Sequence, residues 1–190
     1  MARRDVSRSR KKGAEEGKTS VFIDEAGVQL LPSVVRTYAP RGETPVVVEE
    51  ATHEHLSVIS AVTTAGKLFT RVQEEAFCGE QVVAFLEQLQ RFLGGKLLIY
   101  WDRSRIHRGE AVRAWLAAGH AGDVRVELLP AYAPELNPDE GVWNELKHHD
   151  LANVSCLDLR GLRTHLRRGI QRLQHRPDLI RGFFAQAGLL

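Results

Sequence analysis

The run "KLLIYWD", residues 96–102, limits the fold more than any other stretch of the chain. Five apolar side chains follow Lys96 with no polar residue among them. A strand turns successive side chains to opposite faces, so a run without alternation needs a sheet covered on both sides. The neighbouring segments supply covers. "GEQVVAFLEQLQRFLGG" (79–95) has apolar residues at 82, 83, 85, 86, 89, 92 and 93, the spacing of an amphipathic helix ended by Gly94 and Gly95. "GEAVRAWLAAG" (109–119) predicts a second helix and "VRVELLP" (124–130) a strand. Upstream, "TSVFIDE" (19–25) is a short apolar strand closed by Asp24. "RTYAPRGETPVVVEE" (36–50) is a turn region and then a Val-rich strand. "HLSVISAVTTAGKLFTRVQE" (55–74) is two strands around "TAG", a hairpin. Helices follow over 136–151, beginning at Asn137-Pro138, and over 157–174. No internal repeat is present. Strands first, then strand–helix–strand, then helices predict an α/β fold: a mixed sheet flanked by helices.

The net charge of +2 conceals an uneven distribution. Residues 1–18 carry +4, residues 160–190 carry +6, and the body between them carries −8. An acidic body with basic margins suits a protein that holds cations inside and touches a polyanion at its edges, although solvated tails fit the charge count equally well. Residues 1–18 have almost no apolar periodicity and read as a flexible basic arm. They lack the apolar segment of a secretory signal, and no apolar run approaches the ~20 residues of a membrane span. The expected location is cytosolic. Cys78 and Cys156 are too few and too far apart for a disulfide framework or a metal site, and read as buried structural thiols. His53 and His55 have no further ligands at fitting spacing, and belong to a surface strand.

If the strands ending in Asp24 and Asp102 are parallel neighbours, both aspartates emerge at one carboxyl edge, where open α/β sheets place their chemistry. Glu140, just inside a helix start in "PAYAPELNPDEGVW" (130–143), could return to that edge. Two carboxylates ~4 Å apart repel by about 4 kcal/mol at an effective dielectric of ~20. Divalent cations remove that cost, and carboxylate and water ligands suit Mg²⁺ or Mn²⁺. Two such ions activate a water and stabilise the leaving oxygen in phosphodiester chemistry. Each residue also has a plain structural reading. Asp commonly ends strands at turns. Asn137-Pro138-Asp139-Glu140 fits N-cap to N3, with Glu140 as a capping-box residue.

Together "FIDEAG", "RTYAPRGETPVV", "WDRSRIHRG" and "LPAYAPELNPDEGVWNELK" closely resemble the catalytic domain of IS630-type transposases, members of the Tc1/mariner group of DDE enzymes. The likeness covers roughly 19–150, with the motifs in the family's order. It implies a ribonuclease-H-like five-stranded sheet over 19–155, with 156–190 as a basic helical extension packed on it. It implies Asp24, Asp102 and Glu140 as catalytic and metal-holding triad, with 37 residues between the last two. His107 matches the histidine that follows the second aspartate; Arg103 and Asn137 are further supporting candidates. Arg103 stands where the family has Asn, and Asp139 where it has an aliphatic residue. Glu145 is a weaker candidate for the third acid. Arg105, Arg108, Arg160, Arg163, Arg167 and Arg168 are candidate DNA contacts, since arginine forks suit phosphates. The implied cofactor is Mg²⁺ or Mn²⁺, two ions. The implied partners are transposon ends and a target TA step, and a second copy of the chain in a homodimer. The chain begins about where the family's catalytic domain does, which implies a separate or missing N-terminal helix-turn-helix region and a nucleoid-associated protein. Two alternatives remain: a related nuclease without strand transfer, and a non-catalytic DNA-binding remnant.

Overall fold

The computed structural model describes residues 2–46, 52–118 and 123–190. Its centre is a five-stranded mixed sheet of order β3-β2-β1-β4-β5. The strands are β1 (Lys18–Gln29), β2 (His55–Thr63), β3 (Leu68–Gln73), β4 (Lys96–Trp101) and β5 (Val124–Leu128). The hairpin β2–β3 is antiparallel, β2 also pairs antiparallel with β1, and β1, β4 and β5 run parallel. The "TAG" turn closes where the sequence indicates, with Gly66 at φ 83° donating its N–H to the Thr63 carbonyl. The Val-rich strand expected after residue 45 falls largely outside the described residues.

The unalternating β4 run is covered on both faces, as its sequence requires. On one face Val21, Ile23, Ile59, Leu97, Ile99 and Trp101 pack with α2 (Gly79–Leu93) and α3 (Glu110–Ala117). On the other, Phe22, Val58, Leu98 and Tyr100 pack with α4 (Asp139–Glu145), α5 (Leu159–Gln174) and α6 (Pro177–Gln186). Phe22 stacks on Tyr100 at 4.5 Å and meets Phe184 edge-on at 5.4 Å, which ties α6 to the sheet centre. Among the described residues no helix is long and apolar enough to cross a membrane.

Several boundaries differ from the sequence reading. The segment read as a flexible arm forms α1 (Ala2–Glu15). Its Val6 is buried, and Gly13 lies so close that an added Cβ would meet Leu98 Cδ2 at 2.5 Å. Arg, Lys and Ala are good helix formers, so one buried valine and a glycine contact suffice to dock a helix without apolar periodicity. β1 does not close at Asp24 but continues to Gln29, because β2 pairs with it as far as Gln29↔His55. The helix expected over 136–151 starts at Asp139, one residue later than expected, and loosens into a π-helical turn, Leu146–Asp150. There Arg172 of α5 binds Asp150 and Glu145. Cys156 is buried as expected, but Cys78 is exposed at the N-terminus of α2.

Candidate active site

The parallel pairing of β1 with β4 ends at Phe22↔Tyr100. Asp24 and Asp102 each lie two residues beyond that pair. Both therefore emerge at the carboxyl edge, where β1 has lost its β4 neighbour. A cleft of about 480 Å³ opens there, lined by Asp24, Asp102, Arg103, Tyr132, Asn137 and Glu140 among others. The three predicted carboxylates thus share one cleft.

Asp24 is half-buried and held by three donors. Asn137 Nδ2–H and Trp143 Nε1–H each donate to its Oδ2 at 3.1 Å, and the Glu25 N–H donates to its Oδ1 at 2.9 Å. Burial raises its pKa most, the Trp143 bond opposes this, and the charges of Glu140 and Glu25 add to the rise, to about 7. Asn137 is itself oriented, since its Oδ1 accepts the Asp139 N–H at 3.2 Å.

Asp102 is the first residue past β4 and is exposed; its Oδ1 accepts the Ser104 N–H at 2.8 Å. His107, on a 3₁₀ turn (Ile106–Arg108), is buried and stacked on Trp101 with ring centres 4.4 Å apart. Its Nδ1 lies 2.9 Å from Asp102 Oδ1 and its Nε2 2.8 Å from Glu25 Oε1. Burial acts to lower the His107 pKa, but the Glu25 hydrogen bond and the charges of Glu25 and Asp102 together outweigh it, so the net shift is upward.

Glu140, the second residue of α4, is exposed to the cleft. It closes no capping box, because the Asn137 N–H that a box would need donates to the Pro134 carbonyl at 2.8 Å. Asp139 is fully buried, accepts a 2.6 Å bond from Ser60 Oγ and does not line the cleft. Glu145 is engaged by Arg172 at 2.7 Å. Of these three acids, only Glu140 lines the cleft with the two aspartates.

The arginines divide. Arg103 lines the cleft, and Arg105 and Arg108 are exposed beside it in sequence. On α5, Arg167 and Arg168 are exposed, as is Arg160, 3.6 Å from Asp158. Arg163 instead braces β3, donating to the Val72 carbonyl and to Glu74. Sequence reasoning missed Glu25 and the Trp143 hydrogen bond. The adjacent acids of "IDE" were the available signal, since strand alternation sends Glu25 to the face opposite Asp24.

A family profile described as DDE superfamily endonuclease matches residues 19–163. The chain belongs to that family. No curated protein matches this DDE endonuclease domain. Among solved structures it is similar to the catalytic domain of Mos1 mariner transposase, with TM-score 0.57 and 14% identity over 98% of this chain and 90% of that one. A pre-cleavage Mos1 transpososome gives TM-score 0.64 and 16% identity over 98% of this chain and 60% of that one. A Mos1 strand transfer complex gives 0.58 and 17% over 96% and 60%. At such identities the likeness establishes the fold, which is the ribonuclease-H-like fold of those domains. The DDE endonuclease domain spans about three-fifths of the Mos1 chains in these DNA complexes.

Proposed function

We propose that this DDE endonuclease domain is the catalytic part of an IS630-type transposase, cutting phosphodiesters at transposon ends and joining the freed 3′-hydroxyl to target DNA at a TA step. The observation that carries the reading is the convergence of Asp24, Asp102 and Glu140 on one cleft at the carboxyl edge of β1 and β4. Among the described residues no three His, Cys, Asp or Glu side chains enclose an ion-sized point by themselves. The donor set nonetheless fits a hard dication. It consists of carboxylates, and the Asp24 charge is resisted by burial and by Glu140, a cost that a bound cation removes. In the reading proposed here Asp24 and Asp102 hold the ions, and Glu140 completes a second position. Mos1 has been crystallised in paired end complexes with Mg and with Mn.

A pair of Mg²⁺ or Mn²⁺ ions, when bound, lowers the pKa of the attacking water or hydroxyl and offsets charge on the leaving oxygen. The chain's own residues prepare the site. Trp143 and Asn137 fix the Asp24 carboxylate against rotation through Oδ2, leaving a lone pair on Oδ1 for ligation. Asn137, Asp139, Glu140 and Trp143 lie on or beside α4, so one element positions them all. Arg103 on the cleft wall is suited to a phosphate. Arg105, Arg108, Arg160, Arg167 and Arg168 are proposed contacts for the DNA backbone, beside a basic face on α1. A homodimer, and a helix-turn-helix region that reads transposon ends, complete the proposal.

The test is nicking of supercoiled plasmid and joining of a 3′-hydroxyl oligonucleotide in Mg²⁺ or Mn²⁺. Both reactions are expected in the wild type and neither in Asp102→Asn. Nicking without joining would support a nuclease that lacks strand transfer. Nicking by Asp102→Asn at the wild-type rate would refute the proposal.

A further inference from the structure

We infer that Glu25 and His107 act as a positioning relay that turns Asp102 toward a divalent cation in the cleft. The inference rests on the metal-dependent reading above. Asp102 stands just beyond a strand end with a side chain 55% exposed, where nothing in the sheet fixes its rotamer. What fixes it comes from below. Ser104 N–H binds Oδ1 at 2.8 Å, and His107 Nδ1 approaches the same oxygen at 2.9 Å. Both contacts fall on one oxygen, so Oδ2 has no hydrogen-bond donor among the described residues and is open for ligation.

The imidazole is itself immobilised. Its side chain is fully buried, its ring lies within 3° of parallel to the Trp101 indole, and its Nε2 is 2.8 Å from Glu25 Oε1. Nε2 faces the Glu25 carboxylate, and Nδ1 faces Asp102 through both its Oδ1 at 2.9 Å and its main-chain carbonyl at 3.4 Å. Glu25 reaches this position because it follows Asp24 on β1, and alternation directs it to the opposite side of the strand. One strand therefore supplies a metal-facing acid and, with the next residue, the anchor of the histidine that orients the second acid. A partly buried carboxylate–imidazole pair is a poor device for stability alone, since apolar packing of the same volume does as well or better. Its value lies in orientation. Carboxylates and carbonyls behind metal-site residues commonly act so, and losing one typically weakens metal affinity or activity by 10–100-fold.

The experiment measures Mn²⁺ affinity by the electron spin resonance of free Mn²⁺, with melting in the absence of metal as the control for folding. Glu25→Ala and His107→Leu are expected to bind Mn²⁺ roughly 10–100-fold more weakly than wild type. The double variant should be no weaker than the worse single one, because the two side chains act through one path. Glu25→Gln keeps an oxygen acceptor for Nε2–H and should recover much of the loss. Where Glu25→Ala melts below the assay temperature, Glu25→Gln against His107→Leu carries the comparison. Wild-type affinity in folded His107→Leu, beside lost affinity in Asp102→Asn, overturns the relay and leaves the metal site standing. Wild-type affinity in Asp102→Asn overturns the metal reading and the relay with it. Equal loss in Glu25→Gln and Glu25→Ala assigns the effect to net charge and also overturns the relay.

Discussion

Asp24 and Asp139 are aspartates whose acidity the fold suppresses, and burial is the first cause in both. Asp24 is raised to about 7. Asp139 is raised well above the ordinary value by burial and then by the charge of Asp24, against the Ser60 hydrogen bond. A carboxyl with a raised folded pKa binds its proton more tightly when folded. The stability it contributes is complete below the unfolded value near 3.9 and is lost as pH climbs through the folded one. The metal-free melting temperature should therefore fall between about pH 4 and pH 7 as Asp24 ionises, and Asp139 adds to the fall above pH 4. Asp139→Asn should flatten this slope; a slope parallel to wild type would mean that Asp139 ionises freely in the fold. Tyr132 is a second case. It is fully exposed on the cleft wall and holds φ at 56°, a left-handed conformation that an L-residue adopts at a cost of roughly 1–2 kcal/mol. Tyr132→Gly should keep or raise the melting temperature while lowering DNA nicking, through loss of an aromatic surface for bases; unchanged nicking would confine Tyr132 to the loop's geometry. That Asp24, Asp102 and Glu140 would meet in one cleft was legible in sequence, because two of the acids closed apolar runs and the third stood at a helix start. Glu25 and Asp139 were not, since one matters through its face of β1 and the other through its burial, and neither quantity is local.

The elements show where periodicity is a sound guide. The β2–β3 hairpin, α2 and β4 lie where their apolar patterns put them, because those patterns record burial against a sheet. The reading erred where pairing or docking was decided elsewhere. β1 runs past Asp24 because β2 extends it, and α1 forms because Val6 and Gly13 meet the sheet. The placement of α4 matters most for the site. Gly141, next to Glu140, has no room for a side chain: an added Cβ would overlap the Phe183 ring of α6. Gly141→Ala must push α4 and α6 apart. It should cost about 1–3 kcal/mol of stability and weaken Mn²⁺ binding more than an equally destabilising change on α3, since α4 carries Glu140 and Trp143. Matched denaturation and metal titrations of the two variants check this; equal metal affinities would detach the site from the α4–α6 contact.

Across the whole molecule, the charge division seen in sequence becomes a geometry. The basic face of α1, with Arg3, Arg4, Arg8, Lys11 and Lys12, lines a cleft of about 750 Å³ apart from the carboxylate cleft. Arg4, Arg8 and Lys12 recur every four residues, an arrangement in which like charges weaken an isolated helix. An anionic partner relieves that repulsion. Replacing the three by Ala should weaken binding to all DNA duplexes alike and reduce the steepness of its salt dependence. Salt titrations of two unrelated duplexes test this, and an unchanged slope would return α1 to a solvated face. In the proposed function Asp24, Asp102 and Glu140 form one divalent-cation site. The most direct measurement is Mn²⁺ affinity, by spin resonance of free Mn²⁺, in wild type, Asp24→Asn, Asp102→Asn and Glu140→Gln. A shared site predicts that each folded variant loses at least about tenfold in affinity. It also predicts that Glu140→Gln melts no lower than wild type without metal, since a repelling charge is gone and no cap is broken. Three folded variants that bind Mn²⁺ as tightly as wild type would contradict the account.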